Sequence, residues 1–141
     1  MEENIYKMMI EKAIEAREKA YTPYSKFKVG ACLLTTNGDF YLGSNIENAA
    51  YTPSNCAERT AFFKAVSEGI YDFKAIAIVG GSEKEGIKDY CPPCGVCRQV
   101  MAEFCDKNEF EIILAKNKND YKVYKLKEIL PFSFTKDDMG R

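Results

Sequence analysis

The hydrophobic and polar positions along the chain predict helices and strands in a mixed order. Residues 3–21 carry apolar side chains at spacings of three or four with Glu and Lys between them, which predicts an amphipathic helix. Thr22-Pro23 would end that helix. The runs "FKVGACLLTT" and "DFYLGSN" flank Asn37-Gly38 and therefore predict a β-hairpin.

The second half of the chain predicts two more helices and three more strands. A helix is expected from about Ser54 to Gly69, and another runs from "CPPC" to about Cys105. The run "FKAIAIVGG" is continuous and branched, as in a strand covered on both faces. "FEIILA" predicts a further buried strand, and "YKVYKL" predicts a short edge strand. The segment "KEILPFSF" would end the ordered part, which leaves residues 135–141 as a loose tail.

This order of elements predicts one α/β domain over residues 1–141. A strand–helix–strand crossover that follows a hairpin implies a mixed sheet, here of five strands, with helices on both faces. The length of 141 residues suits a single hydrophobic core, and no linker or repeat divides the chain.

Composition and charge narrow the class of protein. With 46% hydrophobic and 29% charged residues, the chain is expected to be a soluble globular protein. The net charge of −1 and the lack of a basic stretch argue against a nucleic-acid partner. No apolar run is long enough to span a bilayer. The N-terminal "MEENIYKMMIEK" resembles neither a signal peptide nor a transit peptide, so we expect a cytoplasmic protein.

The six cysteines and the absence of histidine indicate the kind of chemistry. In a reducing compartment, metal binding or a catalytic thiol explains the cysteines better than a disulfide framework does. Without histidine, a histidine base and the Ser-His and Cys-His pairs are excluded. Any metal must then be bound by Cys, Asp or Glu, and a carboxylate is the expected proton carrier.

Three cysteines lie where two predicted helices begin. Cys94 and Cys97 are three residues apart and share one helix face, and the positive end of the helix favours their thiolates. Cys56 occupies the matching place on the other helix, after Asn55 as a plausible N-cap. If the two helix starts meet, three thiolates would bind zinc and leave the fourth position open, as in catalytic zinc sites.

Charged residues beside these cysteines suggest further roles. Glu58, one turn from the metal, could transfer a proton between water and substrate, a contribution of roughly 10²–10⁴-fold in rate. Arg59 could hydrogen-bond the sulfurs and draw charge from them, and Arg98 is a competing candidate for that role. The alternatives are a first-turn glutamate favoured by the helix dipole and surface arginines in weak ion pairs.

The joint pattern strongly resembles the cytidine deaminase family. The matching segments are "YSKFKVGA" at 24–31, "GSNIENAAY" at 43–51, "NCAER" at 55–59, "PCGVCRQ" at 93–99 and "LPFSF" at 130–134. Zinc nucleobase deaminases use a Cys₃ or His/Cys/Cys site with a glutamate that is not a ligand, and this sequence fits only the Cys₃ form.

The resemblance implies a reaction and a cofactor. One Zn²⁺ per chain, bound by Cys56, Cys94 and Cys97, would activate the water that attacks C4 of cytosine. Glu58 would move a proton to N3 and then help the amino group to leave as ammonia. The substrates would be cytidine and deoxycytidine, converted to uridine and deoxyuridine in pyrimidine salvage.

The resemblance also implies a substrate-binding set and an assembly. Asn45 and Glu47 match residues that bind the sugar hydroxyls, and Phe27 matches an aromatic that packs on the base. Tyr51 and Phe134 match aromatics that approach a neighbouring subunit's site, which implies a homotetramer with shared sites. The complete substrate-binding set that the resemblance implies is Phe27, Asn45, Glu47, Tyr51, Ala57 and Phe134. Phe27 could instead be plain core, and Asn45 and Glu47 could satisfy their own turn.

Cys91 departs from the family pattern and leaves other functions open. It creates a C-x₂-C-x₂-C run, so Cys56, Cys91, Cys94 and Cys97 could form a closed Cys₄ zinc site or hold an iron–sulfur cluster in a non-catalytic binding module. A deaminase acting on blasticidin S or on a base in a polynucleotide is a further alternative. Cys32 is expected in the core, and Cys105 at a helix end.

Overall fold

The computed structural model describes residues 1–140, and its elements follow the predicted order. They are α1 (Glu3–Arg17), β1 (Phe27–Thr35), β2 (Phe40–Ser44), α2 (Ala57–Ser67), β3 (Phe73–Ser82), α3 (Gly95–Phe104), β4 (Glu111–Asn117), β5 (Asp120–Lys125) and α4 (Leu126–Ile129).

The five strands form one mixed sheet in the order β2-β1-β3-β4-β5, which confirms the predicted sheet. The strands β1 and β2 form the predicted antiparallel hairpin, and Gly38 in its turn has a φ of 93° that favours glycine. The strand β1 also pairs antiparallel with β3, which runs parallel to β4. The crossover between those two parallel strands contains α3.

Helices cover both faces of the sheet, as predicted, and each face has its own hydrophobic core. On one face α1 packs on the sheet, and the buried residues there are Met9, Ile10, Ala13, Cys32, Leu34, Ala75, Ala77, Val79, Ile113 and Ala115. On the other face α2 and α3 pack, and the largest buried side chains are Leu33, Phe62, Ile76, Ile78, Met101, Phe110, Ile112 and Leu126.

Two glycines let helix backbone lie directly on the sheet. A Cβ atom at Gly30 would lie 2.0 Å from the Ala13 carbonyl oxygen of α1. A Cβ atom at Gly43 would lie 2.3 Å from the Ala57 carbonyl oxygen and 2.6 Å from the Ala61 nitrogen of α2. Because this contact involves the first residue of α2, Gly43 fixes where that helix begins relative to the sheet.

Helix boundaries differ from the predictions where distant contacts decide them. The prediction that Asn55 caps α2 was wrong, because Cys56 is the N-cap. Asn55 is held in extended backbone by two hydrogen bonds to Ile46, each of 2.9 Å. The helix can therefore start only after this bridge, at Ala57, about three residues later than expected.

The C-terminal residues contain short helical turns. Residues 136–139, expected in the loose tail, form a 3₁₀ helix, and the Thr135 side chain accepts a hydrogen bond from the Asp137 nitrogen. Arg141, the last residue of that predicted tail, lies outside the described residues. Among residues 1–140, no helix combines the length and apolar character that a bilayer crossing requires.

Candidate active site

The starts of α2 and α3 bring three sulfur atoms together. The Sγ atoms of Cys56, Cys94 and Cys97 all lie within 4.8 Å of one another. Cys56 and Cys94 are 3.6 Å apart, and Cys94 and Cys97 are 3.4 Å apart. Tetrahedral zinc with Zn–S bonds of about 2.3 Å places its sulfur ligands about 3.8 Å apart. The three cysteines therefore fit a zinc ion with small adjustments.

Local backbone structure places each sulfur in this cluster. Cys56 and Cys94 are the N-cap residues of α2 and α3, and both have extended backbone. Cys97 lies in the first turn of α3, and its backbone N–H donates to the Cys94 sulfur at 3.4 Å. Both helix starts direct partial positive charge toward the sulfurs, which favours their thiolate form.

The cluster concentrates negative charge on Cys56. Hydrogen bonds from Cys97 and from Arg59 lower the pKa of Cys56 to about 5, although burial acts in the opposite direction. The pKa of Cys97 is raised, chiefly by its hydrogen bond to Cys56 and by burial. A thiolate at neutral pH is the form of cysteine that binds metal.

Arg59, and not Arg98, contacts a sulfur of the cluster. The Arg59 Nη2 atom donates to the Cys56 sulfur at 3.3 Å. Arg98 instead donates through Nη1 to the Ile129 carbonyl oxygen at 2.7 Å, and so holds α4 against α3. Arg59 is thus the guanidinium placed to draw charge from a thiolate.

Glu58 is a buried carboxyl group beside the cluster. It lies in the first turn of α2, two residues after Cys56, and is only 4% exposed. Burial raises the pKa of Glu58 to about 7, and the negative charge of Cys56 adds to this increase. A hydrogen bond to its own backbone acts in the opposite direction and lowers the pKa. Such a group can both accept and release a proton near neutral pH.

Cys91 stands apart from the three sulfurs. Among the described residues, the sulfur cluster consists of Cys56, Cys94 and Cys97 without it. Burial raises the pKa of Cys91 to about 12, which keeps this thiol neutral. It packs against the core between the sheet and the helices α2 and α3.

Asn45 uses its side chain to extend the sheet beyond β2. Its Oδ1 atom accepts from the Val29 nitrogen at 2.8 Å, and its Nδ2 atom donates to the Phe27 carbonyl oxygen at 2.9 Å. The amide thereby fixes the backbone on either side of Lys28 and leaves one of its two N–H groups for another partner.

Glu47 binds the loop that precedes β1. Its Oε1 atom accepts from the nitrogens of Tyr24 and Ser25 at 3.0 and 3.1 Å, and its Oε2 atom accepts from the Ser25 hydroxyl. The hydrogen bonds from Ser25 keep the pKa of Glu47 below its ordinary value. Asn45 and Glu47 therefore stabilise backbone 16 to 23 positions earlier in the chain, and not their own turn, which was the alternative that the sequence left open.

One surface cleft joins part of the predicted site. Its volume is about 400 Å³, and its lining includes Asn45, Glu47, Tyr51, Cys56 and Arg59. The cleft thus connects the polar pair to the sulfur cluster within a single chain.

The other predicted residues lie outside this cleft. Phe27, 42% exposed, borders a second depression of about 190 Å³ with Gly80 and Cys91. The side chain of Ala57 is fully buried, whereas Phe134 is 60% exposed near the C-terminus.

Two buried or polar anchors near the site were not predicted. Arg17 is buried, and its Nη2 atom donates to the carbonyl oxygens of Gly81 and Ser82 at 2.9 Å each. The Gln99 Nε2 atom donates to the Phe134 carbonyl oxygen at 2.7 Å. All three bonds join residues at least 35 positions apart, so no local pattern could have indicated them.

Comparisons with known proteins agree with this fold and with zinc binding. The family model described as "Cytidine and deoxycytidylate deaminase zinc-binding region" matches residues 3–111. The cytidine deaminase of Sporosarcina psychrophila is 49% identical over 132 residues, which cover 94% of this chain and 93% of that protein. The one of Halalkalibacterium halodurans is also 49% identical, over 94% of this chain and 96% of that protein.

A solved structure extends the similarity to three dimensions. The crystal structure of cytidine deaminase from Burkholderia pseudomallei matches with a TM-score of 0.79 and 46% identity, over 90% of this chain and 97% of that one. The chain therefore belongs to the cytidine and deoxycytidylate deaminase family.

Proposed function

We propose that this chain catalyses the zinc-dependent hydrolytic deamination of cytidine and deoxycytidine to uridine and deoxyuridine, with release of ammonia. The observation that carries the proposal is the meeting of two helix starts, which places three sulfurs within 4.8 Å of one another beside the buried carboxyl group of Glu58. Membership of the deaminase family supports the same reaction.

Cys56, Cys94 and Cys97 are the proposed ligands of one Zn²⁺ per chain. When bound, zinc supplies a Lewis acid that activates water at neutral pH. Three thiolates exceed the charge of one Zn²⁺ by one unit, and the hydrogen bond from Arg59 to Cys56 offsets part of that excess.

Glu58 is the proposed proton carrier. Its carboxylate takes a proton from the attacking water and delivers it to N3 of the base. It then takes the second proton from the hydroxyl group now on C4 and passes it to the amino group. The C4–N bond breaks as the C4 carbonyl forms, so that water and cytidine yield uridine and ammonia in balance. Its position in the first turn of α2, screened from bulk water, restricts these transfers to the bound substrate.

Asn45 and Glu47 are proposed to hold the sugar, Phe27 to pack on the base, and Ala57 to complete the base site. Asn45 and Glu47 line the cleft that leads to Cys56. A carboxylate at this place accepts hydrogen bonds from hydroxyl groups and repels a phosphate, so it favours a nucleoside over a nucleotide.

Purified protein should convert cytidine, with a change of the ultraviolet spectrum from that of cytidine to that of uridine, and should contain about one zinc per chain. Cytidine, deoxycytidine, CMP and blasticidin S should be compared at equal enzyme concentration. The two nucleosides are expected to react fastest, because Glu47 disfavours the phosphate. Turnover of blasticidin S alone, or zinc-loaded protein without any turnover, would refute the proposed substrate class.

A homotetramer with shared sites is the proposed assembly, acting in cytoplasmic pyrimidine salvage. Phe132 is fully exposed and Phe134 is 60% exposed, and Tyr51 is exposed at the cleft. Exposed aromatic side chains of this size are enriched in protein interfaces. In the tetramer, these aromatic side chains would be buried between chains, and Tyr51 or Phe134 of one chain would reach the cleft of its neighbour.

Light scattering after size exclusion should give four times the chain mass of 16.0 kDa. Phe134→Ala should weaken the tetramer and lower activity together, because it removes an interface side chain. Met8→Ala, which truncates an exposed apolar residue of α1, serves as the matched control. A fully active monomer would contradict the shared sites.

A further inference from the structure

Gly80 lies on the sheet face that carries the candidate active site. In the antiparallel pair of β1 and β3, Gly80 is opposite Val29. Phe27 precedes Val29 by two residues, so its side chain points to the same face. That face packs against α2 and α3, whose starts hold the three sulfurs.

The side chain of Cys91 occupies the space that a side chain at position 80 would fill. A Cβ atom at Gly80 would lie 2.7 Å from the Cys91 sulfur and 2.9 Å from the Cys91 Cβ atom. The same atom would lie 3.3 Å from Cε2 of the Phe27 ring. Position 80, position 91 and the Phe27 ring therefore share one small volume.

Cys91 cannot readily withdraw from this volume. The preceding residue, Tyr90, donates its hydroxyl to Asp120 of β5. The ammonium groups of Lys116 and Lys122 lie 4.8 and 5.0 Å from the centre of the Tyr90 ring. The loop is thus tied to the β4–β5 hairpin immediately before Cys91.

The backbone of Phe27 is also fixed, whereas its ring is not. Asn45 binds the Phe27 carbonyl oxygen, and the Phe27 nitrogen donates to the Ser25 hydroxyl at 3.0 Å. The ring itself is 42% exposed. A Cβ atom at position 80 meets Cys91 first, and because the loop of Cys91 is held, we expect the crowded pair to press on the partly exposed Phe27 ring and turn it.

We propose that Gly80 and Cys91 are a size-matched pair whose joint volume sets the position of the Phe27 ring and, through it, the affinity for the substrate base. Both are positioning residues that act through Phe27. The inference rests on the proposed function, in which Phe27 packs on the base. It also gives Cys91 a role that requires no metal.

The pair can be tested by exchanging volume between its two positions. Gly80→Ala should raise KM for cytidine about tenfold and change kcat less, because small displacements of a binding group weaken binding. In the Gly80→Ala variant, a second substitution Cys91→Ala removes the 2.7 Å contact with the Cys91 sulfur but keeps the 2.9 Å contact with the Cβ atom, so KM should recover in part. Adding Cys91→Gly removes both contacts and should restore KM further.

The readouts separate this inference from the proposed function. If wild-type protein fails to deaminate cytidine, the proposed function is wrong, and crystal structures of Gly80→Ala and wild type still show whether the Phe27 ring has moved. An unmoved ring, or a raised KM that truncation of Cys91 does not lower, would overturn the inference. If Gly80→Ala does not fold, Cys91→Val adds volume from the opposite side, and an unchanged KM there would overturn it equally.

Discussion

Replacement of Glu58 by glutamine is expected to slow cytidine turnover by roughly 10²–10⁴-fold while zinc stays bound. Glutamine has nearly the same shape, so it can fill the 4% exposed position of Glu58 without disturbing the first turn of α2. It cannot take a proton from water or pass one to the base. Steady-state rates and zinc content of the same preparation test both halves of this expectation.

A matched control substitution shows whether the loss of turnover is specific to position 58. Glu103 is an exposed glutamate of α3, and Glu103→Gln makes the same chemical change away from the sulfurs. This control should keep the wild-type rate. A Glu58→Gln protein that turns over cytidine within tenfold of the wild-type rate would remove Glu58 from the mechanism.

The order of elements was predictable because local patterns determine it. Apolar spacing of three to four residues indicated α1, and Asn37-Gly38 indicated the hairpin of β1 and β2. The cysteine spacing was informative for the same reason. Cys94 and Cys97 are one turn apart, so a helix that starts there must bring their sulfurs together.

Features that depend on residues far apart in sequence were harder to predict from the sequence. Arg59 follows Cys56 by three residues and therefore shares its face, but Arg98 follows Cys94 by four and could equally have faced the sulfurs. Its partner, the Ile129 carbonyl oxygen, lies 31 positions away and depends on α4 docking against α3. Only the assembled fold distinguishes the two arginines.

The hydrogen bonds of Asn45 and Glu47 illustrate the same limit. Their partners lie between 16 and 23 positions earlier in the chain. The sequence left two roles for each, sugar binding or satisfaction of its own turn. The structure shows that both residues bind backbone distant in sequence instead of their own turn, and that both line the cleft. Asn45 donates a hydrogen bond to the Phe27 carbonyl oxygen and in this way connects Asn45 and Glu47 to the residue that carries the aromatic ring.

Substitution of any one of Cys56, Cys94 and Cys97 by serine should remove zinc and activity together. Loss of a direct ligand should weaken zinc binding by more than the roughly 10–100-fold that follows loss of a ligand's hydrogen-bond partner. Thermal unfolding with and without a chelator provides a second measurement, because a metal that binds only the folded chain stabilises it. The chelator should lower Tm of the wild-type protein but leave Tm of the three variants unchanged.

Cys91→Ser distinguishes the three-sulfur site from a closed four-sulfur site. The Cys91 thiol is half-buried, neutral and packed beside Gly80, outside the cluster formed by the other three sulfurs. Cys91→Ser should therefore keep about one zinc per chain, as should Cys105→Ser at the end of α3. Loss of zinc from Cys91→Ser, with zinc retained by Cys105→Ser, would mean that four thiolates close the site. No position would then remain for the reactive water, and a binding module would replace the enzyme as the better interpretation.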